Sequence, residues 1–258
     1  MVIDVLRATT SMVHALAAGS DAVIPCLEID EARRVAADLR PVRGLLAGER
    51  KGAPIEGFDL GNSPSTFTSE LCSGRTIVMT TSNGTRAIGA SAAAERILIA
   101  AFVNRKATID ALKADGRPIH LICAGTDGQV SLEDTLLAGA LAQDLDTWAW
   151  EESGGVAGSV RIAGEVAPDT VLANDGAEIA ASLWRETEAM IEEGYSLGDA
   201  LGDGRGGHQI LALGLDADID DAGQIDRFPF AVELLRDPIR IVPAFGAAGP
   251  RLRLFGAT

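Results

Sequence analysis

The chain has 258 residues and a formal net charge of -15, and 47% of its residues are hydrophobic but only 4% aromatic. This composition can bury a core of Ala, Val, Leu and Ile, whereas the acidic charge argues against nucleic acid and anionic lipid as partners, since both require a basic face. No apolar run reaches the roughly 18 residues of a membrane span, and no signal peptide is visible.

The three cysteines are scattered and lack metal-ligand spacing, which is typical of reduced thiols. We therefore expect a cytoplasmic protein that contacts neither nucleic acid nor membrane. Because Met1 lies directly before a predicted strand and Asp4, we also expect a few native residues upstream. The sequence leaves open whether the chain forms a homo-oligomer.

Three segments, residues 2–10, 77–86 and 119–128, share one plan: an apolar run, a polar turn and an alanine-rich helical pattern. We call the polar stretches 4–10, 80–85 and 124–134 the first, second and third elbow. Each joins the end of a predicted strand to a helix N-terminus, where free N–H groups and the helix dipole favour anions. In a parallel sheet the elbows would share one edge, where open α/β folds bind ligands.

The remaining patterns predict further elements. Residues 48–64 are predicted to form an ordered, functional loop, and residues 147–169 an irregular excursion. Residues 202–207 are predicted to form a turn before 209–215. The predicted helices are 11–18, 30–39, 86–95, 106–114, 132–145 and 177–193, and the predicted strands are 22–27, 96–101, 228–235 and 239–242.

Together these elements predict an α/β fold, a three-layer α/β/α sandwich with a mostly parallel sheet. We expect a single domain over residues 1–258, and leave open two sub-lobes that meet near residues 147–170.

The first elbow carries the most informative residues. Asp4 interrupts an apolar strand and needs a cation or several hydrogen-bond donors, either as a metal ligand or nucleophile or as a cap on a neighbouring loop. Arg7, Thr9 and Thr10 offer a guanidinium fork, two hydroxyls and a helix start to one anion. The alternative is that a threonine only caps the helix.

The other elbows add hydroxyls and acids. Residues 80–85 place four hydroxyls around an Asn-Gly turn, which is either a phosphate cradle or a capped turn. In the third elbow Glu133 and Asp134 follow a helix-capping Ser131, and acids are favoured there by the dipole alone. Because Asp4 is expected at the same sheet edge, these acids become candidate Mg²⁺ ligands.

The polar loop supplies further candidates. Glu49 and Arg50 line a Gly-bounded stretch, and Asn62 and Ser63 precede a proline. Their alternatives are a surface ion pair and an ordinary turn.

Several catalytic signatures are absent from the sequence. Cys123 has no Arg five residues later, which excludes a cysteine-phosphatase loop, and Asp4 has no second Asp two residues on. No P-loop and no Gly-x-Ser-x-Gly nucleophile elbow occurs. These absences argue against a nucleotide triphosphatase and an α/β-hydrolase esterase.

Six motifs occur in order along the first part of the chain. They are Val-Ile-Asp-Val-Leu-Arg-Ala-Thr-Thr at 2–10, Gly-Glu-Arg at 48–50, Gly-Phe-Asp-Leu-Gly-Asn-Ser-Pro at 57–64, Thr-Thr-Ser-Asn-Gly-Thr at 80–85, Cys-Ala-Gly at 123–125 and Glu-Asp at 133–134. Through these motifs the chain resembles the 2-phosphosulfolactate phosphatase family, the ComB-like proteins. The C-terminal third matches only loosely, at 206–208 and 218–226.

The resemblance implies a Mg²⁺-dependent acid phosphatase that converts (R)-2-phospho-3-sulfolactate to sulfolactate and phosphate, a step of coenzyme M biosynthesis in some archaea. Another 2-hydroxy acid phosphate remains open as substrate. The alternative function is a non-catalytic binding protein for an anionic phosphorylated metabolite.

From these observations we assign expected roles. Asp4 and Arg7 are expected to be catalytic, and it is left open whether Asp4 attacks phosphorus or only binds the metal. The remaining expected roles are Mg²⁺ binding by Asp4, Glu133 and Asp134, phosphate binding by Thr9, Thr10, Asn83, Gly84 and Thr85, and substrate binding by Glu49, Arg50, Asn62 and Ser63.

Overall fold

The computed structural model describes residues 1–39, 44–152, 160–162, 165–167 and 174–244. Strands and helices alternate along the first half, and helices dominate from residue 175 to 222. The strands are β1 (Val2–Ile3), β2 (Ala22–Pro25), β3 (Leu45–Arg50), β4 (Ala53–Pro54), β5 (Thr76–Thr80), β6 (Ile97–Ala100), β7 (Ile122–Cys123), β8 (Val160–Ile162), β9 (Glu165–Ala167), β10 (Val232–Arg236) and β11 (Ile239–Pro243). The helices are α1 (Ala8–Ala17), α2 (Ile29–Asp38), α3 (Ser69–Cys72), α4 (Gly84–Ala90), α5 (Arg105–Lys113), α6 (Leu132–Glu152), α7 (Asp175–Glu192), α8 (Leu197–Gly202), α9 (Arg205–Ala212) and α10 (Asp216–Ala222).

One sheet carries most of the fold, with strand order β4-β3-β5-β2-β11-β10-β6-β1-β7, while β8 and β9 form a separate hairpin. The strands β3, β5 and β2 are parallel neighbours (the β5 group), and so are β6, β1 and β7 (the β1 group). The hairpin of β10 and β11 lies between the two groups and pairs antiparallel with both, and β4 pairs antiparallel with β3. The α/β class is confirmed, but the expectation of a mostly parallel sheet is not met.

The inserted hairpin reverses the direction of the sheet. The pairings β2–β11, β11–β10 and β10–β6 are all antiparallel, so the β5 group runs opposite to the β1 group. A strand that is buried on both faces has the same apolar pattern whichever way its neighbour runs. The sequence pattern therefore could not reveal the reversal.

Helices cover both faces of the sheet, because alternate residues of a strand point to opposite faces. In β1, Ile3 packs into an apolar cluster with residues of α5, α6 and α7. Its neighbour Val2 packs into a second cluster with residues of α1 and α4. This arrangement confirms the three-layer sandwich.

Several predicted boundaries are wrong. The helix α1 begins at Ala8 rather than at residue 11, and α6 continues through residues 147–152, which were expected to be irregular. The rest of that stretch contains the β8–β9 hairpin, and residues 153–159, 163–164 and 168–169 lie outside the described residues. The predicted turn at 202–207 is shared between the end of α8 and the start of α9. Glycines lower the helix propensity there, but tertiary packing overrides it.

None of the described helices is both long and apolar enough to cross a membrane.

The helices α6 and α7 pack closely at Gly139. A Cβ at this position would lie 2.0 Å from the carbonyl oxygen of Ala180. Further along α7, Trp184 is buried, with its ring 5.5 Å from that of Phe102 and 4.9 Å from the guanidinium of Arg105. The contact anchors α6, the helix that begins in the third elbow.

Replacing Gly139 with Ala should lower the free energy of unfolding by about 1–3 kcal/mol, because the new methyl group meets backbone that cannot rotate away. Urea unfolding measures the change. The control is Gly198→Ala in α8, where the nearest atoms would lie 3.6 Å from the new Cβ and stability should hold or rise slightly. Equal stability of Gly139→Ala and wild type would contradict the close packing.

A second prediction concerns His14, which is buried in α1 with its ring edge-on to Phe228 at 5.0 Å. Burial, with the charge of Arg227, lowers the pKa of His14 to about 4. Below the unfolded pKa of about 6.5 the unfolded chain takes up a proton that the folded chain refuses, so stability is lost as the pH falls from about 6.5 toward 4. The loss from this group should reach about 1–2 kcal/mol at pH 5.

The measurement is the difference in unfolding free energy between pH 7 and pH 5 for wild type and His14→Leu. The variant should lose less stability over this interval. An identical pH dependence in both proteins would show that His14 does not contribute.

Candidate active site

The first elbow fixes Asp4 through local hydrogen bonds. The Ala8 amide donates to Oδ1 of Asp4 over 3.1 Å, and the Thr9 hydroxyl donates to the Asp4 carbonyl over 2.8 Å while accepting from its amide. The Thr10 hydroxyl donates to the carbonyl of Val5 over 2.8 Å. The hydroxyl protons of Thr9 and Thr10 are thus donated to backbone carbonyls of the first elbow. In this arrangement neither hydroxyl is free to donate to a phosphate, the role predicted for them.

The third elbow is tied to the first by Asp134. Its two carboxylate oxygens accept from the amides of Val5 at 2.8 Å and Gly125 at 2.9 Å. These bonds are possible because β1 and β7, which precede the two elbows, are parallel neighbours. Asp134 therefore holds the two elbows together and is itself held beside Asp4.

The neighbouring acid, Glu133, points toward the start of α9. A Cβ at Gly206 would lie 2.1 Å from its Oε1, and one at Gly204 would lie 3.1 Å from its Oε2. A side chain at position 206 would displace the Glu133 carboxylate from this place. Glu133 is 1% exposed, and its Oε2 has no hydrogen-bond partner among the described residues.

The second elbow is held by Glu49, at the end of β3. Its Oε1 accepts from the Ser82 amide at 2.7 Å, and its Oε2 accepts from the Gly52 amide at 2.7 Å and the Ser82 hydroxyl at 3.2 Å. The Thr85 hydroxyl donates to the carbonyl of Thr81 over 3.0 Å, and the Thr85 amide donates back to the Thr81 hydroxyl over 3.2 Å. Glu49 and Thr85 thus stabilise the turns that contain them.

The Arg50 side chain contacts residues at the ends of β3 and β5 and Leu27, which follows β2. Its guanidinium donates to the Thr80 hydroxyl at 2.9 Å and to the backbone carbonyls of Glu49 and Leu27. The ion pair between the Glu49 and Arg50 side chains, the alternative reading of this stretch, does not occur.

The elbows converge, but for a different reason from the one predicted. The first and third elbows share a sheet edge, whereas the second follows β5, which runs the opposite way. It reaches the first elbow because Gly84 lacks a side chain: a Cβ there would lie 2.6 Å from Oδ2 of Asp4 and 2.5 Å from Cβ of Ala8. The site therefore draws its residues from both strand groups, and the expectation that all three elbows share one edge is wrong.

Four buried carboxylates result from this convergence. Burial raises the pKa of Asp4 well above its ordinary value, and the charges of Asp134, Glu49 and Glu133 raise it further. Burial also raises the pKa of Glu133 to about 7, and that of Asp134 despite its amide donors. No salt bridge to any of the four occurs among the described residues. We call Asp4, Glu49, Glu133 and Asp134 the acid cluster.

The acid cluster fits a hard divalent cation in its chemistry. Carboxylate oxygens are the donors that Mg²⁺ prefers, and the unpartnered Oε2 of Glu133 is a free one. Over the part of the chain that is described, no three His, Cys, Asp or Glu side chains are already placed around a metal position. The oxygens would have to close in to coordinate one.

Arg7 lies at the other side of the Glu49–Gly52 turn, in a pair that the sequence did not predict. Its Nη1 donates to Oδ2 of Asp218 at 2.7 Å and to the Ser63 hydroxyl at 3.3 Å, and its Nη2 donates to the Gly52 carbonyl at 2.7 Å. The Ser63 hydroxyl also donates to Oδ2 of Asp218 at 2.9 Å. Arg7 and Asp218 are 4% and 2% exposed.

Asn62 is also buried, and it lies against α1. Its carbonyl accepts from the Ser11 hydroxyl at 2.7 Å, while its side-chain Oδ1 has no hydrogen-bond partner among the described residues. Of the predicted substrate-binding residues, Asn62 and Ser63 thus border Arg7 and α1, whereas Glu49 and Arg50 are engaged elsewhere.

The residues that sequence reasoning missed come from the C-terminal helices. Asp218 belongs to α10, while Gly204 directly precedes α9 and Gly206 lies in its first turn. The only sequence signal for them was the loose family match at 206–208 and 218–226, since acids along a short helix usually mark a solvated face.

Comparison with known proteins identifies the family of the chain. Residues 1–237 match the family model described as 2-phosphosulpholactate phosphatase. A Prochlorococcus marinus (strain MIT 9313) protein named probable 2-phosphosulfolactate phosphatase is 35% identical over 229 residues, which are 88% of this chain and 85% of that protein. The chain belongs to the 2-phosphosulfolactate phosphatase family.

Other relatives are more similar over a shorter stretch. Proteins of the same name from Symbiobacterium thermophilum and Thermotoga petrophila are both 47% identical, over 143 and 145 residues. The aligned part is 55% and 56% of this chain, and it spans only 61% of the length of each relative.

The acid cluster leads to a stability prediction for Asp4→Asn in the presence of a chelator. An unfolded Asp is ionised above about pH 4, whereas the folded state resists this ionisation, so at pH 7 the Asp4 carboxyl destabilises the cation-free fold. Asn keeps an acceptor for the Ala8 amide and removes the charge. The variant should therefore be more stable than wild type at pH 7.

Thermal unfolding in EDTA at pH 7 measures the effect, with Asp30→Asn on the exposed face of α2 as the unchanged control. A lower melting temperature for Asp4→Asn than for wild type would contradict the repulsion within the cluster.

Proposed function

We propose that this member of the 2-phosphosulfolactate phosphatase family hydrolyses the phosphomonoester of a small 2-hydroxy acid, with (R)-2-phospho-3-sulfolactate as substrate and Mg²⁺ as cofactor. The observation that carries the proposal is the acid cluster of Asp4, Glu133, Asp134 and Glu49, which is buried, has no cationic partner among the described residues and lies next to Arg7. The family match and the names of the relatives support the phosphatase reaction, and the acid cluster supports Mg²⁺ as the cofactor.

Within the cluster, Asp4, Glu133 and Asp134 would hold the cation. When bound, Mg²⁺ would polarise a phosphoryl oxygen and neutralise the charge that develops as the ester bond breaks. The hydrogen bonds that the backbone amides of Val5 and Gly125 donate to Asp134 hold this carboxylate in place.

Arg7 and the second elbow would bind the phosphoryl group. The guanidinium fork suits the paired oxygens of a phosphate, and the amides of Asn83 and Gly84 lie at the start of α4, beside Asp4. A buried, hydrogen-bonded arrangement of this kind needs little reorganisation when charge develops.

The structure refines the substrate-binding roles. A carboxylate at Glu49 would repel the carboxylate and sulfonate of the substrate, and its oxygens already hold Gly52 and Ser82. We therefore assign Glu49 to fixing the two turns around the site. Asn62 and Ser63 are the better candidates to contact the acid end of the substrate.

The test is phosphate release from phosphosulfolactate, phosphoglycolate and phospholactate, with Mg²⁺ and with EDTA. Release should require the cation, and Asp4→Asn should reduce turnover by about 10³-fold or more while Asp30→Asn does not. Ligand-induced thermal stabilisation without release at any Mg²⁺ concentration would instead identify a non-catalytic binding protein. Full activity in EDTA would contradict the metal-dependent reaction.

Trapping with fluoroberyllate addresses the role of Asp4. An acyl-phosphate mimic on Asp4 would identify it as the nucleophile, and its absence in an active enzyme would leave it as a metal ligand.

A further inference from the structure

The pair between Arg7 and Asp218 joins the first elbow to a helix more than 200 residues away. Three N–H groups of the guanidinium have described acceptors: two on Nη1, to Asp218 and Ser63, and one on Nη2, to Gly52. A guanidinium carries five N–H groups. The Nε–H and the second Nη2–H donate to none of the described residues, so they are available to an anion.

Stability alone does not explain such a pair. Two charges that are both almost fully buried lose their hydration, and an apolar pair of similar volume often stabilises a fold as well or better. Ser63 satisfies both partners at once, which fixes the rotation of the guanidinium as well as its position. The arrangement restricts where Arg7 can point.

The restriction matters because Arg7 lies close to the acid cluster. The Gly52 carbonyl accepts from Arg7, while the Gly52 amide donates to Glu49. A guanidinium without its own carboxylate would be drawn toward Glu49 or Asp4, where it would take the place of a cation. Asp218 pairs with Arg7 and so leaves the acid cluster without a cationic side chain.

We propose that Asp218 is a positioning residue, which holds the guanidinium of Arg7 so that its free N–H groups bind the phosphoryl group of the substrate. This inference rests on the proposed function in that it takes the phosphate ester as the ligand of Arg7. Asp218 does not touch the reacting atoms and acts only through Arg7.

The test is a double-mutant cycle with Arg7→Gln and Asp218→Asn in the full chain, read by kcat/KM and by the binding of inorganic phosphate. Asp218→Asn should lower kcat/KM about 10²-fold and weaken phosphate binding about tenfold, and Arg7→Gln should lower kcat/KM about 10³-fold. Because Asp218 acts through Arg7, the double variant should be no worse than Arg7→Gln alone. Asp220→Asn, an exposed acid on the same helix, is the matched control and should behave as wild type.

Independent, multiplying effects in the double variant would overturn the proposal, and so would phosphate binding by Asp218→Asn that equals or exceeds that of wild type. If Asp218→Asn does not fold, Ser63→Ala replaces it. Loss of this hydroxyl should weaken phosphate binding about threefold in a chain that still folds, and unchanged phosphate binding would overturn the proposal.

The phosphate titration also separates the two proposals. A wild-type chain that binds phosphate without hydrolysing any ester refutes the proposed function, and the affinities of the variants still decide the role of Asp218. A wild-type chain that releases phosphate from an ester but does not bind inorganic phosphate keeps the proposed function and overturns the phosphate-binding role given to Arg7 and Asp218.

Discussion

Four carboxylates that are almost completely removed from water share one small space, and among the described residues none of them is paired with a basic side chain. Burying an unpaired charge costs several kcal/mol, and each further like charge adds to that cost. The raised pKa values of Asp4, Glu133 and Asp134 express the same conflict. A fold accepts such a cost where the site is completed by a cation or by the chemistry that it performs.

The surrounding structure keeps this unfavourable arrangement in place. Asp134 accepts hydrogen bonds from backbone amides of the first and third elbows. Glu49 accepts hydrogen bonds from the backbone amides of Gly52 and Ser82. Neither carboxylate can therefore rotate away without losing its amide donors. Gly84 and Gly206 allow backbone to approach where a side chain would collide with Asp4 or Glu133. The C-terminal helices complete the enclosure, since α9 covers Glu133 and α10 supplies the partner of Arg7.

The sequence predicted the convergence of the three elbows better than it predicted the sheet. Polar residues at the ends of apolar strands identified Asp4, Gly84 and Asp134 as neighbours, because strand ends that precede helices are where α/β folds gather polar groups. The same pattern could not show that β10 and β11 separate two strand groups of opposite direction, since buried strands look alike in either direction. It also missed Asp218, because an Asp in a short acidic helix is usually exposed, and only a distant arginine makes burial favourable.

The sequence pattern could not predict the hydrogen-bond partners of single hydroxyl side chains. Thr9, Thr10 and Thr85 stand where phosphate-binding hydroxyls would stand, yet their hydroxyl protons go to backbone carbonyls of their own turns. Threonine and serine often hydrogen-bond to nearby backbone in this way, and sequence spacing does not distinguish this use from phosphate binding.

A cation site at the acid cluster is tested most directly by a crystal soaked in Mn²⁺ and measured for anomalous scattering. A peak is expected within coordinating distance of Asp4, Glu133 and Asp134, whereas saturating Mn²⁺ with no peak among these residues would rule out the proposed cation site.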